Sequence, residues 1–302
     1  MTTINTMYWN VGAHLSFNKS IQQLLLDGVR KGMYSTQFFM GNPKSYNRQN
    51  IDEQDIEMSK LILLRFPMNI YSHFPYISNL CGSVNSIAWE DDEIVNKKTK
   101  LLLKGIEHEL KVMANFNNEN NKAGVVIHPG SFPDRNKGLN TIIKSINHIN
   151  FPENSLLLLE NSAGEGNKLC KNLEEIKYVI NGLLEDKRKH IGVCIDTAHI
   201  WGEGCYDLSK TEEIDRLFNE FDEQIGLEYF NLLHLNDSKV EIGTKKDRHE
   251  SIGKGYIWSS NFDSLILLLN KCKEYNIPIV LETVYEDMFI LVEIQSKLNL
   301  KF

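Results

Sequence analysis

Five histidines and four carboxylates of this 302-residue chain follow short apolar runs or the loops directly after them. His73 comes after Met68–Ser72, His128 after Ala123–Ile127, and Glu160 after Ser155–Leu159. Asp196 and His199 follow Ile191–Ile195, and His234 lies near the end of Phe230–Leu235. Asp247 and His249 occupy the loop beyond it, and Glu282 follows Ile277–Leu281. Imidazole with carboxylate is a ligand set for zinc, manganese or iron, and no cysteine is among the nine. One such residue has an ordinary explanation, a hydrogen bond to a loop or simple solvation. Recurrence across six apolar runs favours ligands, because a carboxylate at the mouth of a dry core is costly unless a cation or donor meets it. Asp247 and His249 are two apart and face one side of an extended loop. Asp196 and His199, three apart across a strand-to-loop turn, could serve one metal or two neighbours. Nine ligands are too many for one ion and suit two or three. Three divalent cations against a formal net charge of −7 leave about −1, with local overcompensation that suits a phosphate-containing substrate.

The elements that must position these residues repeat as one unit: a buried run, a polar loop, then an amphipathic stretch. The first two runs, Tyr8–Ala13 and Ser35–Met40, complete a set of eight. Helical periodicity is predicted over about 21–29, 52–64, 92–114, 139–148, 173–184, 212–221, 262–275 and 286–298. Eight alternations predict an α/β fold, a single closed (β/α)8 barrel over residues 1–302 with the site at the C-terminal strand ends. An open doubly wound sheet usually carries a Gly-rich phosphate turn, whereas the first run here leads into Gly12-Ala13-His14-Leu15-Ser16. The Asn-rich stretch Phe116–Lys122 reads as a solvated loop.

Composition narrows the class. With 42% hydrophobic and 24% charged residues the chain is globular in type, and no apolar run approaches the roughly 20 residues of a membrane helix. No secretory signal is read at the N-terminus, and no membrane partner is expected. The five cysteines form no C-x-x-C pair, so a reducing intracellular compartment is expected. The acidic balance argues mildly against non-specific nucleic-acid binding, unless carboxylates hold metal ions.

The chain resembles the endonuclease IV family of abasic-site DNA repair nucleases from about Tyr8 to Leu298. The stretches that carry the resemblance are Gly12–Ser16, His73 with Tyr76, Asn79 and Leu80, His128–Ser131, Leu159–Gly164, Val193–His199, His234–Ser238, Asp247-Arg248-His249 with Gly253 and Gly255, and Leu281-Glu282-Thr283. The resemblance implies a TIM barrel holding three Zn2+ per chain. It implies His73 and His128 at the first ion, Glu160 bridging to the second, Asp196, His234 and Glu282 completing the second, and His199, Asp247 and His249 at the third. It also implies hydrolysis 5′ to an abasic site in double-stranded DNA, with 3′-end trimming. Glu160 would lie beside the attacking water, and Glu282 would orient it. A monomer is expected. Where the family usually carries Arg and then Trp two residues on, this chain has Lys44 and Tyr46. The intercalating pair maps to Tyr76 and Ile77, and a glycine often found after Gly255-x-Ile is Trp258. The Asn-rich loop reads as an insertion. DNA-contacting residues are therefore expected at Lys44, Tyr76 and Ile77.

Two other function classes compete. A sugar isomerase or epimerase on such a barrel uses one or two divalent ions, and the His199, Asp247 and His249 triad separates the readings. A DNA-binding scaffold would need a rim without chemistry. His14 is either a group that orients a ligand or a structural hydrogen-bonding residue. His108, His148 and His190 read as structural, the lysines at 97, 98, 100 and 104 as a solvated helix face, and Cys194 as inert core.

Overall fold

The eight predicted runs pair side by side into a closed, all-parallel barrel in a computed structural model that describes residues 9–83, 86–90, 93–94 and 96–299. The strands are β1 (Val11–His14), β2 (Ser35–Phe38), β3 (Asn69–His73), β4 (Ala123–Ile127), β5 (Leu157–Glu160), β6 (Ile191–Asp196), β7 (Phe230–His234) and β8 (Ile279–Leu281). Sequence neighbours are spatial neighbours throughout, and β8 closes onto β1 through Val11↔Ile279, Gly12↔Val280 and Ala13↔Leu281. Gly12 is obligatory in this wall, since a Cβ there would lie 1.4 Å from the Ser35 carbonyl oxygen of β2. Tyr8 and Asp92, where the sequence reading begins a strand and a helix, lie outside the described residues.

Among the described residues the helices longer than one turn are α1 (Ile21–Arg30), α2 (Glu53–Arg65), α3 (Lys97–Met113), α4 (Arg135–Asn147), α5 (Leu173–Gly182), α6 (Thr197–Glu203), α7 (Thr211–Gln224), α8 (Asp263–Glu274) and α9 (Asp287–Asn299). Their starts follow capping chemistry: Ser20, Asp52, Asn96, Asp134 and Asn172 each accept a hydrogen bond from a first-turn N–H. Asp134 starts α4 four residues before the predicted 139, because the cap rather than the first apolar residue sets the boundary.

The core has two parts. Most buried apolar side chains lie between strands and helices. A second, separate layer fills the barrel interior with Tyr71, Val126, Leu158, Cys194, Leu232 and Val280. A strand alternates its side chains with a period of two, so residue i+2 returns to the interior one step higher. The residues two beyond this layer are His73, His128, Glu160, Asp196, His234 and Glu282. Register alone therefore stacks six of the nine candidates as a polar layer on an apolar floor. Cys194 belongs to that floor; its burial pushes the thiol up to about 12.

Two expectations need correction. The segment Ala198–His199 is not a loop but part of α6, which starts directly after β6 with Asp196 as its cap. The Asn-rich stretch is also not merely solvated. Asn121 is buried and accepts from the Met68 N–H at 3.0 Å, while Asn117 accepts from the Ala123 N–H at 3.2 Å. These amides satisfy backbone groups where β3 and β4 begin, on the face opposite the candidate ligands. Among the described residues no helix is long and apolar enough to cross a membrane. All five cysteines are free.

Candidate metal centre

A cavity of about 450 Å³ opens at the C-terminal strand ends, lined in part by His14, Phe39, His73, Tyr76, His128, Glu160, Lys168, His199, Asp247, His249 and Glu282. Glu160 is at its centre. One carboxylate oxygen lies 3.1 Å from His73 Nε2 and 3.4 Å from His128 Nε2. The other lies 3.1 Å from His234 Nδ1. Potential ligand atoms fall into three groups, each within 4.8 Å of one another: His73, His128 and Glu160; Glu160, Asp196, His234 and Glu282; and Asp196, His199 and His249. Asp247 adjoins the third group, with one oxygen 3.1 Å from His199 Nε2 and the other 3.1 Å from His249 Nε2. All nine sequence candidates thus converge, and Glu160 and Asp196 are each shared between two groups.

The backs of the rings fix which nitrogen faces the cavity. His73 Nδ1 donates to the Phe74 carbonyl at 2.7 Å, and His199 Nδ1 donates to the Asn161 carbonyl at 2.9 Å. Both rings therefore turn Nε2 inward. His234 has the opposite sense: Nε2 donates to Gln37 Oε1 at 2.8 Å, leaving Nδ1 for the cavity. Gln37 also donates to Glu282 Oε1 at 2.8 Å, so one amide orients two candidate ligands. Asn236 donates to Asp196 Oδ2 at 2.7 Å and to Glu282 Oε2 at 3.2 Å. The other Asp196 oxygen caps α6 through the His199 N–H at 2.9 Å.

Gln37 has no role in the sequence reading, which runs β2 to Met40. The strand ends at Phe38, which puts Gln37 at the rim in the same layer as the ligands. His14 joins that layer from β1, 3.3 Å from the Gln37 amide, which supports an orienting place for it. His108 instead bonds the Gln49 carbonyl, His148 packs on Trp89, and His190 lies against Ser155, all as structural residues.

Electrostatics single out the cluster. Burial alone raises the Glu160 carboxyl, but the facing imidazoles of His128, His234 and His73 outweigh it and hold the group well below the usual carboxylate range. Burial lowers His128 to about 3, with His73 and His199 adding to the effect against the pull of Glu160. His199 behaves oppositely: burial opposes its charge, yet Asp196 and Asp247 raise it to about 10. His249 is raised to about 9, against burial, by Asp196 and Asp247.

Three buried ring nitrogens, His128 Nδ1, His199 Nε2 and His249 Nε2, have no hydrogen-bond partner. The last two each lie 3.1 Å from an Asp247 oxygen, yet without hydrogen-bond geometry. Such groups are costly unless something else meets them, and His199 Nε2 and His249 Nε2 beside the Asp247 carboxylate fit a divalent cation, whereas His128 turns Nε2, not Nδ1, toward Glu160.

The predicted DNA contacts lie on the loops after β2 and β3, and of the three, Tyr76 lines the cavity. Tyr76 and Ile77 are 57% and 46% exposed, and the Tyr76 ring packs against Phe39 at 5.0 Å and His73 at 5.6 Å. Lys44 is exposed on the loop after β2. Contacts not legible in the sequence hold these loops. Arg48 is buried against Glu109 at 3.0 Å and donates to the Asn42 and Ser45 carbonyls, while the Tyr46 hydroxyl donates to the Ile77 carbonyl at 2.7 Å.

Known proteins resemble this chain over most of its length. A family model described as the xylose isomerase-like TIM barrel matches residues 29–298. A probable endonuclease 4 of Clostridium botulinum (strain Alaska E43 / Type E3) is 33% identical over 278 residues, covering 91% of this chain and 92% of that protein. A probable endonuclease 4 of Malacoplasma penetrans (strain HF-2) is 34% identical over 288 residues, covering 92% of this chain and 91% of that protein. The crystal structure of endonuclease IV from Thermus thermophilus superposes with a TM-score of 0.76 at 23% identity, over 96% of this chain and 99% of that one, which is a likeness of fold. With a family model matched over residues 29–298 and relatives more than 30% identical over nine-tenths of its length, the chain belongs to the endonuclease IV family of enzymes.

Proposed function

We propose that this chain is a zinc-dependent nuclease that hydrolyses duplex DNA 5′ to an abasic site, leaving a 3′-hydroxyl and a 5′-deoxyribose phosphate. Trimming of blocked 3′ ends is the same displacement at a strand terminus. The observation that carries the reading is the Glu160 carboxylate, which has one oxygen toward His73 and His128 and the other toward His234. In this reading His73, His128 and Glu160 hold one ion, Glu160, Asp196, His234 and Glu282 a second, and His199, Asp247 and His249 a third, with Asp196 beside the last. Three divalent cations so held would supply Lewis acidity, activating a water and offsetting charge on the phosphate.

The chain's own residues do the rest. Glu160 places a carboxylate at the centre of the site, with one oxygen toward His73 and His128 and the other toward His234. Glu282, held at both oxygens by Gln37 and Asn236, orients the attacking water. The water oxygen bonds to phosphorus, the bond from phosphorus to the 3′-oxygen of the preceding nucleotide breaks, and that oxygen ends protonated. A duplex hides this phosphate from a recessed pocket, so the DNA must bend and expose the sugar. Tyr76 and Ile77 are the apolar wedge that fills the vacated stack, and Lys44 holds a backbone phosphate.

The test is incubation of the zinc-loaded protein with a duplex carrying one abasic site. The expected product is a single nick 5′ to the lesion that disappears after prolonged chelation. An inert zinc-loaded protein, or cleavage indifferent to a strong, slow chelator, would contradict the proposal.

A further inference from the structure

Six of the nine ligand candidates sit on a barrel strand or directly after one, whereas the segment that carries Asp247 and His249 is tied down by residues outside the cavity. Residues 240–246, just before Asp247, run along the last turn of α6. The Gly243 N–H donates to the Trp201 carbonyl at 3.0 Å and the Lys245 N–H to the Gly202 carbonyl at 2.7 Å, while Trp201 Nε1 donates to the Val240 carbonyl at 2.8 Å. The approach is close because both facing residues are glycine. Gly204 ends α6 with φ +84°, and a Cβ on it would meet Gly243 Cα at 2.8 Å.

At this junction the Glu203 side chain is only 6% exposed, with Lys171 Nζ on one oxygen and Lys245 Nζ on the other, both at 2.6 Å. Lys171 belongs to the loop after β5, Glu203 to α6 and Lys245 to the segment before Asp247. One carboxylate therefore joins the three pieces of chain that meet around His199, Asp247 and His249. Without its charge, two ammonium groups would converge on a neutral atom and push the segment away from α6.

We propose that Glu203 is a positioning residue for the third cation: with Lys171 and Lys245 it locks the segment carrying Asp247 and His249 onto the helix carrying His199. The inference rests on the three-zinc reading. Glu203 touches neither a cation nor the substrate, and its effect passes through the geometry of the triad.

Two measurements keep this proposal separate from that reading. The first is hydrogen exchange of the metal-free protein, followed by mass spectrometry. Glu203→Gln and Lys245→Met should each speed exchange in peptides covering 241–250, with peptides of β3 to β5 unchanged. The second is zinc release to a chromogenic chelator from the loaded protein. One ion of three should leave about 10- to 100-fold faster in each variant, as when a group supporting a metal ligand is removed, while two leave at the wild-type rate. Glu203→Asp should restore part of the difference. Wild-type exchange in 241–250, or equal acceleration of all ions together, overturns the lock. A wild-type protein that never holds three zinc ions overturns the three-zinc reading instead, and the exchange result still decides the lock.

Discussion

The two halves of the candidate centre are built differently. Six of its ligand candidates are the upper neighbours of the interior layer, carried at the ends of barrel strands; His73, Glu160, Asp196 and His234 are fully buried, and His128 and Glu282 are 17% and 12% exposed. The other three ride on α6 and on the segment after β7, and Asp247 and His249 are 28% and 24% exposed. In the first half position follows from strand register, and a side chain cannot shift without moving the barrel wall. In the second it depends on contacts between loops: the short ladder pairing Ser238 with His249, the Glu165 carboxylate on the Asp247 N–H, and the Glu203 junction. Charge differs as well. In the ion-free state His128 is held neutral, whereas His199 and His249 attract protons because carboxylates surround them. A barrel can thus add a cation site to its rim without altering its strands, at the cost of making that site depend on its loops.

The largest expected effect separates the centre from everything around it. Glu160→Gln should lower turnover on an abasic duplex at least about 100-fold, the scale on which positioned charged groups matter, while affinity for the duplex falls much less. Single-turnover rates beside equilibrium binding would show this. A variant cleaving at near the normal rate would remove Glu160 from the chemistry.

Within the strand-borne half, Gln37→Ala frees both His234 and Glu282, and should weaken zinc at the second site by about 10- to 100-fold in competition titrations. Unchanged affinity would mean that strand register alone holds those ligands and that the amide is incidental.

Proton linkage distinguishes the halves without mutation. The folded-state values of His199 and His249, about 10 and about 9, lie above the ordinary 6.5, so their protonation stabilises the ion-free protein fully below 6.5, and this contribution is lost as pH rises toward 10. Zinc must displace the same protons. The difference in melting temperature between loaded and ion-free protein should therefore widen from pH 7 to 9, with proton release on loading visible as a buffer-dependent binding enthalpy. A constant difference would show that the triad imidazoles are already neutral.

Smaller effects are expected at the mouth. Tyr76→Ala should weaken binding to abasic duplex roughly tenfold, as loss of one stacking aromatic does. Zinc content and cleavage of a small phosphodiester should stay near normal. Because the ring also packs on His73, equal losses on both substrates would make Tyr76 a support for the metal site instead of a wedge. Lys44→Ala should reduce the salt slope of binding by about one unit, one phosphate contact's worth.

The same contrast explains what could be read from the sequence. Strand-end ligands are visible because a polar residue after an apolar run breaks the pattern of a buried strand, and the eightfold alternation told a barrel from an open sheet. Spacing paired Asp247 with His249, and only the family resemblance joined His199 to them; that His199 sits on a helix was not visible, because Thr197–Glu203 is seven residues and its cap, Asp196, is also a ligand candidate. Gln37 and Glu203 were missed because an amide in a strand and a carboxylate among lysines are ordinary in composition. Their roles exist only once distant segments meet. The buried amides of the 116–122 loop were misread for the same reason.

The central claim is that the rim holds three divalent ions, two on the strands and one on the loops. It is tested most directly by elemental analysis of protein purified without added metal and confirmed folded and active on an abasic duplex. The account predicts close to three zinc ions per chain, falling to two in a folded His249→Ala variant. An active wild-type preparation with one ion or none would contradict it.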